Sequence, residues 1–151
     1  MRNYLTDPRL RVVIVEDEAP ARSKLNTQLA QVEGVEVVSE CADAPQAIQD
    51  INSLKPDLVL LDIELGELSG FDVLKAIKHP CHVIFTTAYS QYAVKAFEKQ
   101  ALDYLLKPFD LPRLRHALKR VVLPEPQVAE PATVQLTAKV GDKIRMLNSF
   151  D

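Results

Sequence analysis

Five short, mainly apolar runs, separated by segments of helical periodicity, constrain this chain more than any other feature. They lie at residues 11–15, 35–38, 57–61, 82–85 and 102–106. Runs this short and this rich in apolar, often β-branched residues suit strands covered on both faces of a parallel sheet. Between them apolar residues recur at helical spacing: Ala21, Leu25, Leu29 and Val32, then Ala47, Ile48, Ile51 and Leu54, then Val73, Leu74 and Ile77, then Ala93, Ala96 and Phe97. A fifth helix carries Leu111, Leu114, Leu118 and Val121, and each group is expected to face the core, Phe97 included. Asp43, Ser69, Ser90 and Asp110 stand where N-caps belong, and Pro20, Pro45 and Pro112 fall in first turns. Strict alternation with short connections implies right-handed crossovers and an α/β fold: an open, doubly wound parallel sheet of five strands flanked by five helices.

At 151 residues the chain accommodates one domain of ordinary size over residues 11–121, behind an N-terminal tail at 1–10. Residues 122–132 hold Pro124, Pro126 and Pro131 without periodicity and read as a semi-extended linker. Beyond it Val134, Leu136, Ala138 and Val140 alternate with polar residues, Gly141-Asp142 suits a two-residue turn, and Ile144 and Met146 resume the alternation. Two strands cannot bury a core of their own, so residues 133–151 read as the start of a second, incomplete domain. A net charge of −3 gives no basic field for holding nucleic acid or an anionic membrane. Cys41 and Cys81 lack metal-ligand spacing and read as reduced core thiols. No stretch has signal-peptide character or approaches the roughly 20 apolar residues of a membrane span, so the expected location is cytoplasmic.

In an open α/β sheet, ligands bind outside the carboxyl ends of the strands. Those ends carry Glu16 and Asp17, Asp62, Thr86 and Thr87, and Lys107 with Pro108. Clustered carboxylates raise one another's pKa unless a cation neutralises them, and an all-oxygen ligand set favours Mg²⁺. An aspartate beside Mg²⁺ is a competent nucleophile toward phosphorus, with Lys107 and Thr87 available to stabilise the phosphoryl oxygens. Asp62 is the expected acceptor. Thr86 points away from Thr87 along a strand and reads as structural.

In these stretches the sequence closely resembles the response-regulator receiver family of two-component systems over residues 11–121. Val-Ile-Val-Glu16-Asp17 looks like its acidic pair, Leu-Val-Leu-Leu-Asp62 its phosphoacceptor strand, Phe-Thr-Thr87-Ala88 its switch threonine, and Tyr104-Leu-Leu-Lys107-Pro108-Phe109 its aromatic switch and lysine-proline. The resemblance implies the flavodoxin-like strand order 2-1-3-4-5 and a Mg²⁺ held by Asp17, Asp62 and the backbone carbonyl of Glu64, with Glu16 reaching it through water. It further implies a cis Lys107–Pro108 bond, and Glu64 and Tyr89 as residues that tune phosphoryl loss. It implies a sensor histidine kinase as phosphodonor, and a switch through Thr87 and Tyr104 that remodels the face of the fourth helix, fifth strand and fifth helix, the expected homodimer surface. Leu65-Gly66-Glu67 replaces the usual Met-Pro-Gly and should loosen the loop after the acceptor. Thr87-Ala88-Tyr-Ser-Gln-Tyr-Ala93-Val-Lys-Ala-Phe97-Glu98 is similar to receivers that carry a LytTR-type DNA-binding domain, as is the ending from Lys143 to Asp151. Promoter DNA would then be a partner of the full-length protein only.

Two rival readings use the same residues. An aspartyl-nucleophile phosphohydrolase would place a second Asp at position 64, where Glu64 stands, and would add a cap domain. A pseudo-receiver interaction module would have lost the acceptor, an acidic residue or the lysine, and all are present. The chain is therefore expected to be a regulatory phosphoacceptor rather than an enzyme. Arg113, Arg115, His116, Lys119 and Arg120 suit either a partner-facing patch or the favourable end of a helix dipole. His79 and His82 lack ligand spacing.

Overall fold

The computed structural model describes residues 9–121. In chain order its elements are β1 (Leu10–Val15), α1 (Ala19–Ala30), β2 (Val35–Cys41), α2 (Ala44–Leu54), β3 (Leu58–Asp62), β4 (Glu64–Leu65), β5 (Leu68–Ser69) and α3 (Gly70–Ala76). There follow β6 (His82–Thr87), a 3-10 turn (Ser90–Tyr92), α4 (Ala93–Glu98), β7 (Asp103–Leu106) and α5 (Leu111–Leu118). The main sheet is parallel throughout, in the order β2-β1-β3-β6-β7. This is the expected 2-1-3-4-5 arrangement, because β4 and β5 pair only with each other. The expected linker at 122–132 and the expected start of a second domain at 133–151 lie outside the described residues, as does most of the expected N-terminal tail.

Strand alternation divides the core into two layers. Val13, Val15, Val59, Leu61, Val83 and Phe85 pack with Ala47 and Ile51 of α2, Val73 of α3 and Ala96 of α4. Val12, Ile14, Leu58, Leu60, Ile84 and Leu105 pack on the opposite face with Leu25 and Leu29 of α1 and Leu114 and Ala117 of α5. A strand that is apolar on both sides is buried on both sides, which is why β3 shows no polar residue before Asp62.

Three of the four expected caps form. Asp43 accepts from Gln46 N at 2.9 Å, Asp110 accepts from Arg113 N at 2.9 Å, and Ser69 forms a full capping box with Asp72. Ser90 is not a cap: it begins the 3-10 turn, and α4 starts three residues later without a side-chain cap. Phe97 is not a core residue either, since it is 80 % exposed. A six-residue helix near the sheet edge offers a stripe wide enough for Ala96, and Phe97 lies a further ~100° round the axis. The segment expected to be loose after Asp62 is instead the β4–β5 hairpin. Gly66, at φ 84°, leads its two-residue turn in a conformation that disfavours any other residue. No helix among the described residues is long and apolar enough to cross a membrane.

Candidate functional site

The alternation that builds the two layers also sorts the polar residues at the carboxyl edge. Glu16 and Asp62 continue the rows of Ile14 and Leu60, and Lys107 that of Leu105, so all three extend the layer shared with α1 and α5. Thr87 continues the row of Phe85, on the side of α4, where Tyr104 also packs. Glu16, Asp62 and Lys107 therefore emerge from one side of the sheet edge, and Thr87 and Tyr104 from the other.

Lys107 Nζ lies 2.6 Å from Glu16 Oε1 and 3.0 Å from Asp62 Oδ2. Asp62 Oδ1 accepts from Glu64 N at 3.0 Å, and Glu16 Oε2 accepts from Glu18 N at 3.1 Å. Glu16, Asp17 and Asp62 each offer an oxygen within 4.8 Å of the others. Both carboxylates bonded to Lys107 are buried, whereas Asp17 is exposed at the mouth. Burial pushes the Asp62 carboxyl up to about 7, and the neighbouring Glu16 adds to the rise against the Glu64 N–H and the Lys107 ammonium. Burial also opposes charge on Glu16, yet hydrogen bonds with Lys107 and Asp62 hold that carboxyl below its usual range. Lys107 is lowered by burial but held above its ordinary value by the two carboxylates. One ammonium among three carboxyls leaves surplus negative charge. An all-oxygen cluster with such a surplus fits a hard divalent cation.

This cluster opens into a cleft of about 680 Å³ bounded by the β4–β5 hairpin, Phe71, Ala88, Tyr89, Tyr92 and Lys95. Thr87 is buried, and its Oγ1 accepts from Tyr89 N at 3.1 Å. The Tyr104 hydroxyl donates to the Tyr89 carbonyl at 2.6 Å, so one residue links both switch candidates. Thr86 is buried and lines a separate, smaller cleft against Leu25, Gln28 and Phe109. The Lys107–Pro108 peptide bond is cis.

Gly70 is a constraint the sequence reading missed. A Cβ there would sit 2.5 Å from the Asp62 carbonyl oxygen, so glycine is what lets α3 begin against the backbone of β3. Tyr92 and Lys95 were also missed as cleft residues, because nothing in their spacing announces the contact of Tyr92 with Glu64 or of Lys95 with the Phe71 ring. Basic residues of α5 and the turn after it are engaged within the domain: Arg113 binds both oxygens of Asp103, Arg120 reaches the same carboxylate, and Arg115 donates to the Gln31 carbonyl. His79 contacts the Pro56 carbonyl. Cys41 and Cys81 are free thiols, each pushed by burial up to about 11 and so poorly reactive.

Residues 12–119 match the family described as the response regulator receiver domain. An uncharacterized response regulatory protein of Yersinia pestis is 45% identical over 114 residues, covering 74% of this chain and 48% of its own length. The sensory transduction protein LytT of Bacillus subtilis is 38% identical over 151 residues, covering 94% of this chain and 63% of its own. The chain thus spans less than two thirds of either relative. Among solved structures, the response regulator domain of Thermotoga maritima CheB superposes with a TM-score of 0.69 at 28% identity, over 77% of this chain and 99% of that one.

Proposed function

Because this chain belongs to the response regulator receiver domain family of two-component systems, we propose that Asp62 accepts a phosphoryl group from a sensor histidine kinase, with Mg²⁺ as cofactor. The observation that carries this reading is the bridge from Lys107 to the buried Glu16 and Asp62 carboxylates, with Asp17 beside them. Asp17, Asp62 and the Glu64 carbonyl would hold the ion, with Glu16 reaching it through water. When bound, Mg²⁺ supplies positive charge to the oxygens of the transferring phosphoryl group.

A carboxylate oxygen of Asp62 forms the new bond to phosphorus. The donor's P–N bond breaks, and its electron pair leaves with the imidazole, which takes up a proton. Lys107 faces the acceptor carboxylate and offsets charge on the phosphoryl oxygens. The Glu64 N–H orients the other Asp62 oxygen. Thr87 gives up its contact with Tyr89 to donate to the phosphoryl group, and Tyr104 repacks into the space released. Glu64 and Tyr89, flanking the cleft, tune how fast the phosphoryl group is lost.

The face remodelled by this exchange is α4, β7 and α5. Val94 and Phe97, 68 % and 80 % exposed, give it the apolar surface a homodimer would bury. The relatives of Salmonella and Escherichia coli named transcriptional regulatory protein BtsR support a transcriptional role for the full-length protein, and the likeness of residues 87–98 and 143–151 to LytTR-type regulators supports a DNA-binding domain of that type beginning at 133–151. Receivers of this family are regulatory domains rather than typical enzymes, and the phosphorylated residue belongs to the switch.

The test is intact mass after incubation with acetyl phosphate. A single labile phosphoryl adduct is expected with Mg²⁺, and none with EDTA or in Asp62→Ala. A folded, Mg²⁺-binding chain that never acquires the adduct, from acetyl phosphate or from a histidine kinase, would point to the pseudo-receiver reading instead.

A further inference from the structure

Glu64 leaves the acceptor strand two residues after Asp62 and opens the β4–β5 hairpin at the mouth of the cleft. Its backbone N–H is committed to Asp62, but its side chain is exposed and takes an unexpected partner. The Tyr92 hydroxyl donates to Glu64 Oε2 at 3.3 Å. Among the described residues, the Glu64 carboxylate has no other hydrogen-bond donor.

The Tyr92 ring is well braced for this contact. Its centroid lies 6.1 Å from that of Phe71 and 6.3 Å from that of Tyr89, the latter edge-on at 85°. Phe71 is itself fixed by Phe85 at 4.8 Å and carries the Lys95 ammonium 4.6 Å over its ring. The phenol therefore projects from a packed aromatic cluster, and the flexible partner in the pair is Glu64.

We propose that Tyr92 is a positioning residue which holds the Glu64 carboxylate on the α4 side of the cleft and thereby lengthens the lifetime of the phosphoryl group on Asp62. This rests on Asp62 being the acceptor. Loss of the group requires a water oxygen to bond to phosphorus while the P–O bond to Asp62 breaks and its electron pair returns to the carboxylate. The water's proton passes to the released phosphate, directly or by way of a nearby base. A carboxylate two residues from Asp62 and free to swing inward can accept that proton and orient the water. One tethered to the phenol is kept from doing so. Tyr92 sits in the same turn whose first flank, Tyr89, engages Thr87 and Tyr104, so the tether is also placed to respond when the switch repacks.

The experiment follows decay of the adduct by intact mass, after removal of acetyl phosphate, in the wild-type chain, Tyr92→Phe, Glu64→Gln and the double variant. Phenylalanine keeps the ring contacts with Phe71 and Tyr89, so a purely structural role for Tyr92 would leave the lifetime unchanged. Tyr92→Phe is expected to shorten it roughly two- to tenfold, the range set by one net hydrogen bond. In the Glu64→Gln background the same change should do nothing. An unchanged or longer lifetime in Tyr92→Phe, or equal shortening in both backgrounds, would overturn the proposal. Absence of any adduct in the wild-type chain, from acetyl phosphate or from a histidine kinase, would sink the acceptor reading and this inference together, whereas an adduct whose decay ignores Tyr92 would sink the inference alone.

Discussion

Helices α2 and α4 pack against the same face of the sheet but are held very differently. α2 runs for eleven residues, is capped by Asp43 and buries Ala44, Ala47 and Ile51. It is also bound laterally: Asp50 accepts from Ser39 and Cys41 of β2, and Asn52 bridges the Ala76 carbonyl and Lys78 N–H at the end of α3. α4 runs for six residues without a side-chain cap, buries Ala96, and leaves Val94 and Phe97 in solvent. The difference assigns roles. An element anchored at several points preserves the geometry of the rim, while one held by a single small core residue and an aromatic turn can be repacked at low cost.

Four perturbations would break or sharpen this contrast. The largest effect is expected for Ile51→Ala, which empties a fully buried site under α2 and should lower unfolding stability by about 2–5 kcal/mol in urea titrations. A cost below 1 kcal/mol would mean that α2 is no better anchored than α4. Next is Asp62→Asn in metal-free protein. The folded Asp62 carboxyl titrates at about 7, whereas the unfolded one titrates near ~3.9. The fold therefore binds a proton that the unfolded chain has released, and metal-free stability falls as pH rises between those values. The Asn variant should be more stable than wild type near pH 8, by on the order of 4 kcal/mol for a shift of this size, and similar to it near pH 4. Mg²⁺ should stabilise the wild type more than the variant, and a wild type insensitive to both pH and Mg²⁺ would refute the charge-surplus account of the rim.

Smaller still is the effect of Asp103→Asn, on the strand that borders α4. Burial opposes charge on Asp103, but Arg113, and with it Arg120, holds the carboxyl below its usual range. Its contribution is present above the unfolded value and is lost as pH falls through the folded one. The variant should cost about 0.5–1 kcal/mol at pH 7, discounted because Arg113 is partly exposed, with the gap closing in acid. A pH-independent gap would assign the effect to packing. Phe97→Ser should change monomer stability least, by no more than about 0.5 kcal/mol, while weakening self-association of the phosphorylated chain in sedimentation. A large loss of monomer stability would show that Phe97 is a core residue after all.

The parts legible in the sequence were those encoded locally. Apolar runs such as 57–61 and the caps Asp43, Ser69 and Asp110 marked elements, and alternation then fixed which strand ends share an edge. Glu16, Asp62 and Lys107, up to 91 positions apart, meet there because parallel strands bring all their carboxyl ends to one side. The parts that stayed hidden depend on non-local geometry. Gly70 is required by the Asp62 backbone of another element, the Tyr92 hydroxyl finds Glu64 across the cleft, and the exposure of Phe97 follows from how α4 sits near the sheet edge. Gly66 carried a readable cue, since a glycine-led pair between Leu65 and Leu68 also fits a hairpin turn, yet in place of the usual proline it suggested looseness.

The most direct test of the account is amide hydrogen exchange of the full chain with Mg²⁺, with and without excess acetyl phosphate, in wild type and Asp62→Ala. Phosphorylation is expected to change exchange in the Tyr89–Tyr92 turn, α4 and β7 of the wild type while α2 stays protected, and Asp62→Ala is expected to show no change anywhere. A wild type that carries the adduct yet exchanges identically in α4, or one in which α2 changes as much as α4, would contradict it.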